Sequence, residues 1–275
     1  MKTKQLILSV AVLTMAVSIS FLGCRKPKEV KDTDSSSASD NSLAEKTSND
    51  ATNMAQEASE KGSMSSYRLG DENELTLSPC VSSIVRANQK ITVIFNGQIC
   101  YDGHVRNGSI VIDYSQSTPG DTFPRNPGFK CLVTTSNYTV DGMAVTINKT
   151  ITNTTPNLNP GTNLIWSDNV SVSIVKSNGT VSWNGNKVVT LLNTSDTTVY
   201  RGQTKFIVWS KARIGVTGNA TGTTAAGENF TANVTGQLVR DMQCSPTSHP
   251  GHHPFIDGTL DFTPGSKPTD RKSVV

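Results

Sequence analysis

The chain has 275 residues, 6% of them aromatic and 17% charged, with Thr, Asn, Ser, Val and Gly prominent. This balance points to β-sheet and argues against a charge-rich disordered chain or a helical bundle. Setting Lys2 and Lys4 aside with an export signal brings the formal charge from +3 to +1, and no basic stripe interleaved with aromatics occurs, so the sequence carries no electrostatic footprint for nucleic acid.

Lys2 and Lys4 precede an apolar run from Leu6 to Leu22, which ends in Phe21-Leu22-Gly23-Cys24. A positive start, a short apolar stretch and a small residue before Cys are what a lipoprotein signal peptidase requires. The reading is a signal over 1–23 and a lipidated Cys24. Phe21 departs from the Leu usual at that place. Each buried methylene adds about 0.8 kcal/mol, so two or three acyl chains anchor stably where one does not. Over 24–66, Lys, Asp, Glu, Ser, Ala and Asn dominate. The apolar face of Leu43 to Lys61 is weak, which predicts a disordered tether with at most a transient helix. As a coil, such a segment spans about 35 Å.

From Leu75 onward the period is two, and an all-β domain is predicted over 67–275. Ile91 to Phe95 is a short strand closed by Asn96-Gly97, and Ser109 to Tyr114 follows a second turn at Asn107-Gly108. Asp141-Gly142 joins two strands as a hairpin, since this pair tolerates the positive φ angles of a type I′ turn. Val145, Ile147 and Ile151 share a face, and Lys149 interrupts their series, which predicts an edge or rim there. Val170, Val172 and Ile174 alternate before Asn178-Gly179. Thr180 to Trp183 is then expected to turn at Asn184-Gly185. Phe206 to Val216 reads as one longer strand, and Ala232, Val234 and Leu238 share a face. Many strands with Gly-containing turns predict an antiparallel meander, as a sandwich, curled sheet or open barrel.

Besides Cys24, four cysteines lie in this domain: Cys80, Cys100, Cys131 and Cys244. In an exported chain they permit two disulfides in three connectivities. Cys80 with Cys100 is favoured by proximity, because both flank one short strand region.

Several segments occur in a fixed order. Cys80 and the strand Ile91 to Phe95 precede Cys100-Tyr101-Asp102-Gly103-His104-Val105-Arg106-Asn107-Gly108-Ser109-Ile110. Then come Asn137 to Gly142, Thr150 to Asn153, Thr217-Gly218, Cys244 and Gly258 to Leu260. This order resembles a family of uncharacterised lipoproteins from Bacteroidota, over roughly residues 78–275. The resemblance implies location and fold, and no activity. Cys131 is outside the family pattern. Members continue past the final strand, whereas this chain stops at Ser273-Val274-Val275, which predicts a truncated C-terminus.

Candidate sites are few. Cys244, His249, His252 and His253 carry ligand types suited to zinc, but in a Pro- and Gly-rich stretch that reads as a solvated loop. Asp102, His104 and Arg106 alternate on a strand, with no nucleophile identifiable near them. Trp166, Trp183 and Trp209 would stack sugars if exposed, although buried indoles are commoner. Asp196-Thr197-Thr198 matches a short O-glycosylation acceptor. Asn-x-Ser/Thr triplets such as those at Asn107 and Asn233 are expected from composition alone. No cofactor motif is found, and the chain reads as non-enzymatic. The expectation is an envelope-anchored protein with a structural or interaction role, the alternative being a glycan- or ligand-binding module of a nutrient-uptake system. Its partners would be a membrane, through the N-terminal lipid, and a protein or glycan. Arg25-Lys26-Pro27-Lys28 after the anchor, rather than an acidic run, favours the periplasmic face of the outer membrane over the cell surface.

Overall fold

A computed structural model describes residues 35–63, 79–100, 103–117, 126–157, 159, 161–194, 198–201, 204–207, 211–244, 254–265 and 267–274. Cys24 and the export signal lie outside them.

Thirteen strands follow one helix among the described residues. The helix α1 spans Ser36–Ser63. The strands are β1 Val81–Ala87, β2 Lys90–Ile99, β3 Val105–Asp113, β4 Lys130–Val140, β5 Met143–Asn153, β6 Ile165–Lys176, β7 Gly179–Leu191, β8 Thr198–Arg201, β9 Thr204–Ile207, β10 Arg213–Thr223, β11 Asn229–Asp241, β12 Phe255–Pro264 and β13 Asp270–Val274. Eleven form one antiparallel sheet in the order β1-β2-β3-β4-β5-β6-β7-β10-β11-β12-β13, and β8 pairs with β9 in a separate hairpin. The domain is the all-β meander that the alternation predicts, and its sheet does not close into a barrel.

One face of the sheet is buried and the other wet. Val145, Ile147 and Ile151 on β5, Val170, Val172 and Ile174 on β6, and Val181 and Trp183 on β7 join a single core, while the Thr, Ser and Asn residues between them face out. The sheet curls around α1. Lys46 on the helix meets His104 beside β3, while its neighbour Glu45 lines a hollow with Leu260 of β12. Seven strand spacings separate β3 from β12, about 33 Å if the sheet were flat. Two adjacent side chains of one helix, itself about 10–12 Å across, do not bridge that distance.

Several sequence expectations are corrected. The segment expected to be tether holds α1, whose buried stripe is Ser37, Asp40, Asn41, Ala44, Thr47, Ser48 and Ala51. These recur at helical spacing but are small or polar, so an apolar periodicity does not reveal them. Lys149 is not at a rim: it is fully buried in mid-sheet. Asn96-Gly97 and Asn107-Gly108 are not turns. Both pairs lie inside strands where the register slips, and Gly97 and Gly108 each have φ of +80°. They are bulges, which use the same left-handed backbone as a turn. Asn184-Gly185 is not a turn either. β7 runs straight through it, and a Cβ on Gly185 would lie 2.4 Å from the Trp183 ring, so this glycine makes room for the indole. The single strand expected over 206–216 is two, with β9 ending at Ile207 and β10 starting at Arg213. At the C-terminal side, β13 pairs with β12, Gly258 opposite Val274 through Phe262 opposite Asp270.

Asp141-Gly142 is the turn expected, with φ of +50° and +79°. Nothing lies within 4 Å of a Cβ built on Gly142. Gly142→Ala is therefore expected to cost only the backbone penalty of about 1–2 kcal/mol, read as a shift in the urea midpoint at unchanged slope.

Candidate functional site

The contact between α1 and the strands is built largely from polar groups. Near the start of the helix, Asp40 accepts from Lys176 Nζ at 2.7 Å and from the Ala225 backbone N–H at 2.9 Å. Trp183 Nε1 donates to Asn41 Oδ1 at 2.9 Å. Glu45 takes Lys187 at 2.6 Å, and that ammonium also lies 5.2 Å from the centre of the Trp183 ring. One turn on, Ser48 accepts Lys149 Nζ through its hydroxyl at 3.1 Å. Asp50 then meets Arg106 Nη2 at 3.4 Å. Sheet cations from β3, β5, β6 and β7 thus point at one helix, which answers them with Asp50, Ser48, Asp40 and Glu45.

The deepest of these groups is Lys149. Its ammonium is 2.7 Å from Asp168 Oδ2 on the neighbouring strand β6, and both side chains are buried. Burial holds the Lys149 ammonium below its ordinary pKa, and the Asp168 carboxylate opposes that shift. Asp168 and the Ser48 hydroxyl both favour the charged form of this lysine against its burial, so α1 supplies part of the shell around the Lys149 nitrogen.

Between the first half of α1 and strands β10 to β13 lies a small hollow of about 150 Å³. Val216, Ala220, Ala232, Val234, Leu238 and Leu260 supply its apolar lining. Ala220 and Ala232 are directly paired on β10 and β11. The polar residues at its margin include Glu45, Lys187 and Lys272. Arg240 extends the same face of β11 one step beyond Leu238, with its guanidinium 4.6 Å over the Phe255 ring.

The structure places the sequence-predicted residues as follows. Cys80 and Cys100 are joined in a disulfide, the pairing favoured by proximity. Cys131 and Cys244 are free thiols, the first buried and the second exposed. His249, His252 and His253 lie outside the described residues, as do Asp102, Asp196, Thr197 and Trp209. Trp166 and Trp183 are at most 6% exposed. They are core residues, which corrects the expectation of a sugar-stacking surface for these two. His104 and Arg106 do reach the same neighbourhood. His104 Nδ1 is 2.7 Å from Asp141 Oδ2, and its Nε2 is 2.8 Å from Lys46 Nζ on α1. The ammonium must donate, so Nε2 accepts and Nδ1 carries the proton toward Asp141. That hydrogen bond holds the Asp141 carboxyl below its usual range. Sequence reasoning missed Lys149, Asp168, Lys176, Lys187, Arg240 and every acceptor on α1. The one available signal was a set of lone lysines at inward-facing strand positions.

The two free thiols differ in reactivity for a physical reason. Desolvation pushes the Cys131 thiol up to about 12. Iodoacetamide at pH 8 is expected to alkylate Cys244 in the native chain and to spare Cys131 until urea unfolds it. Mass spectrometry showing modification of both at equal rates in the native state would refute the burial.

No family model, curated protein or solved structure matches the chain.

Proposed function

We propose that this chain is a lipid-anchored, non-catalytic protein of the bacterial envelope with a structural or interaction role. The observation that supports this best is the polar clamp between α1 and the sheet. The helix begins at Ser36, so only residues 25–35 separate it from the candidate lipidated Cys24. Fully extended, that stretch reaches at most about 40 Å, and as a coil it averages under about 20 Å. The clamp therefore turns a long leash into a short one and keeps the β-domain close to the surface that holds the anchor. No helix of the described residues is long and apolar enough to cross a membrane. In this reading the membrane attachment is the lipid on Cys24, with the periplasmic face of the outer membrane favoured by the basic residues after it.

The test is metabolic labelling with palmitate in the native host. Label is expected in the wild type and absent in Cys24→Ala, with the variant leaving the membrane fraction. Absence of label in the wild type would overturn the reading. Protease treatment of intact and permeabilised cells separates the two faces of the membrane, and cross-linking followed by co-purification identifies a protein partner. A second reading, a ligand-binding module, is favoured by the apolar hollow beside α1.

A further inference from the structure

The outward face of the sheet carries an array with no charge in it. Across β5, β6, β7, β10 and β11 the register aligns three rows of five outward positions. The middle row is Asn148, Ser171, Asn184, Thr221 and Thr231. The row beside it is Thr150, Asn169, Asn186, Asn219 and Asn233. The third, from Thr146 to Asn229, again holds only Ser, Thr and Asn. None of these side chains is buried. Asn219 is the one member that also borders the hollow beside α1. Strands lie about 4.8 Å apart and alternate residues about 6.7 Å apart, so the outermost positions span roughly 19 Å by 13 Å.

A surface built for solubility alone carries roughly 25–35% charged residues of both signs. This patch carries none. Nor is it closed on itself. Ser171 donates to Asn184 at 2.6 Å, Thr223 to Asn229 at 3.2 Å, and Asn169 to Ser167 at 3.4 Å. The other side chains of the array make no hydrogen bond among the described residues. Their hydroxyls and carboxamides stand open, each able both to donate and to accept. An apolar partner would strip water from these groups and give nothing back. A partner rich in phosphate or carboxylate finds no cation here. What fits is a partner that itself presents neutral donors and acceptors at repeating intervals. The sheet curls around α1, so this face is convex. A flexible chain follows such a surface, whereas a planar lattice such as ice does not lie on it.

We infer that this face binds a neutral polysaccharide, laid across the strands with its hydroxyls on the Ser, Thr and Asn side chains. The site rests on the ligand-binding reading and deepens it, on a surface other than the hollow, and it does not require lipidation of Cys24. Trp166 and Trp183 are buried on the opposite side of the sheet and stack no sugar ring. Each sugar unit therefore contributes little, and affinity accumulates as successive units of one chain engage.

The experiment captures the full chain on a biosensor in detergent. Dextran, laminarin and galactomannan are the neutral probes, and polygalacturonate is the charged one. At least one neutral polymer is expected to bind about tenfold more tightly than polygalacturonate. Its affinity should rise with polymer length, and the free monosaccharide should not bind measurably. Asn184→Asp with Asn186→Asp keeps side-chain size but places two carboxylates in the array, and should weaken binding about tenfold. Lys211→Asn, exposed and outside the array, should bind as wild type does. Binding of no neutral polymer, or equal binding of neutral and acidic polymers, would overturn the assignment. Shaping of ice crystals without polymer binding would overturn it too, and would give the array to frozen water. A double variant that binds as wild type does would remove the site from this face while leaving the ligand-binding reading in place. The charge preference and the length dependence are measured on the wild type, so a misfolded variant leaves the test decisive.

Discussion

Asp168→Ala is expected to destabilise the fold by about 3–5 kcal/mol, the range for removing one partner of a buried ion pair. The Lys149 side chain is fully buried and Asp168 is 2.7 Å away. Without the carboxylate, the ammonium keeps, among the described residues, its bonds to Ser48, of 3.1 Å to the hydroxyl and 3.4 Å to the carbonyl. The loss thus comes from stranding a charge. Replacing both members with apolar groups, as Lys149→Met with Asp168→Leu, should restore most of the stability, because neither charge then has to be desolvated. The pH dependence separates this mechanism from a packing defect. Burial holds the Lys149 pKa below its ordinary value of 10.5. Between the folded pKa and that value the unfolded chain binds more protons, so stability rises with pH across the interval. Loss of Asp168 removes a contribution that raises the folded pKa, and so lowers it further. The gap between Asp168→Ala and wild type is therefore full below the variant's folded pKa and narrows as pH climbs from there to that of the wild type. Urea titrations of the variant, the double variant and the wild type across this range supply the check. A penalty below about 1 kcal/mol, or one independent of pH, would mean that Lys149 is not held charged beneath α1.

This pair also explains what was and was not legible before the structure. Strict alternation located β5, β6 and β7 because one sheet face packs into a core and the other meets water. At those positions the residue types follow from burial alone. Lys149 occupies an inward position in the same alternation, and reading it as a rim follows the ordinary rule that unpaired charge is excluded from cores. Its partners lie on β6 and on a helix about a hundred residues earlier, and no local pattern announces a pairing over that distance. The same argument applies to α1. Its buried stripe of Ser, Asp, Asn, Ala and Thr has the right spacing but the wrong polarity for an apolar-face search. Such a helix is held by what the sheet offers it, and most helical stability in proteins arises from tertiary packing.

The Asn-Gly pairs mislead for a different reason. At Gly97 and Gly108 the positive φ that a turn would need is present, but the neighbouring strand continues alongside. A Cβ at Gly108 would come within 2.1 Å of the Asn137 carbonyl oxygen. Dihedral preference is local, whereas the choice between a turn and a bulge depends on whether a partner strand passes by. The hollow was equally hidden. Ala220 and Ala232 look like ordinary small strand residues until the register places them opposite each other.

Breaking the Cys80–Cys100 disulfide should cost about 3 kcal/mol on the loop-entropy estimate, since the two cysteines are 20 residues apart in sequence. The bridge lies across the open end of the β1–β2 hairpin, where the Asn96 N–H also donates to the Cys80 carbonyl at 2.9 Å. β1 is an edge strand and contributes little to the core. Its side chains from Val81 to Ala87 are intermediate or exposed, and only Val81 and Ile84 pack against buried residues. A strand with so little buried surface is the first to fray once its closure is lost. The effect of Cys80→Ala with Cys100→Ala is therefore expected in two places. The urea midpoint should fall, and amide exchange in β1 should accelerate by about 100-fold, which corresponds to the same free energy at 1.36 kcal/mol per decade. The β5–β6–β7 block should change less, because its protection reflects the core rather than the bridge. Addition of a reductant to the wild type should reproduce the β1 exchange pattern. Unchanged exchange in β1 on reduction would show that the hairpin is held by its backbone ladder alone and that the bridge contributes nothing to this edge.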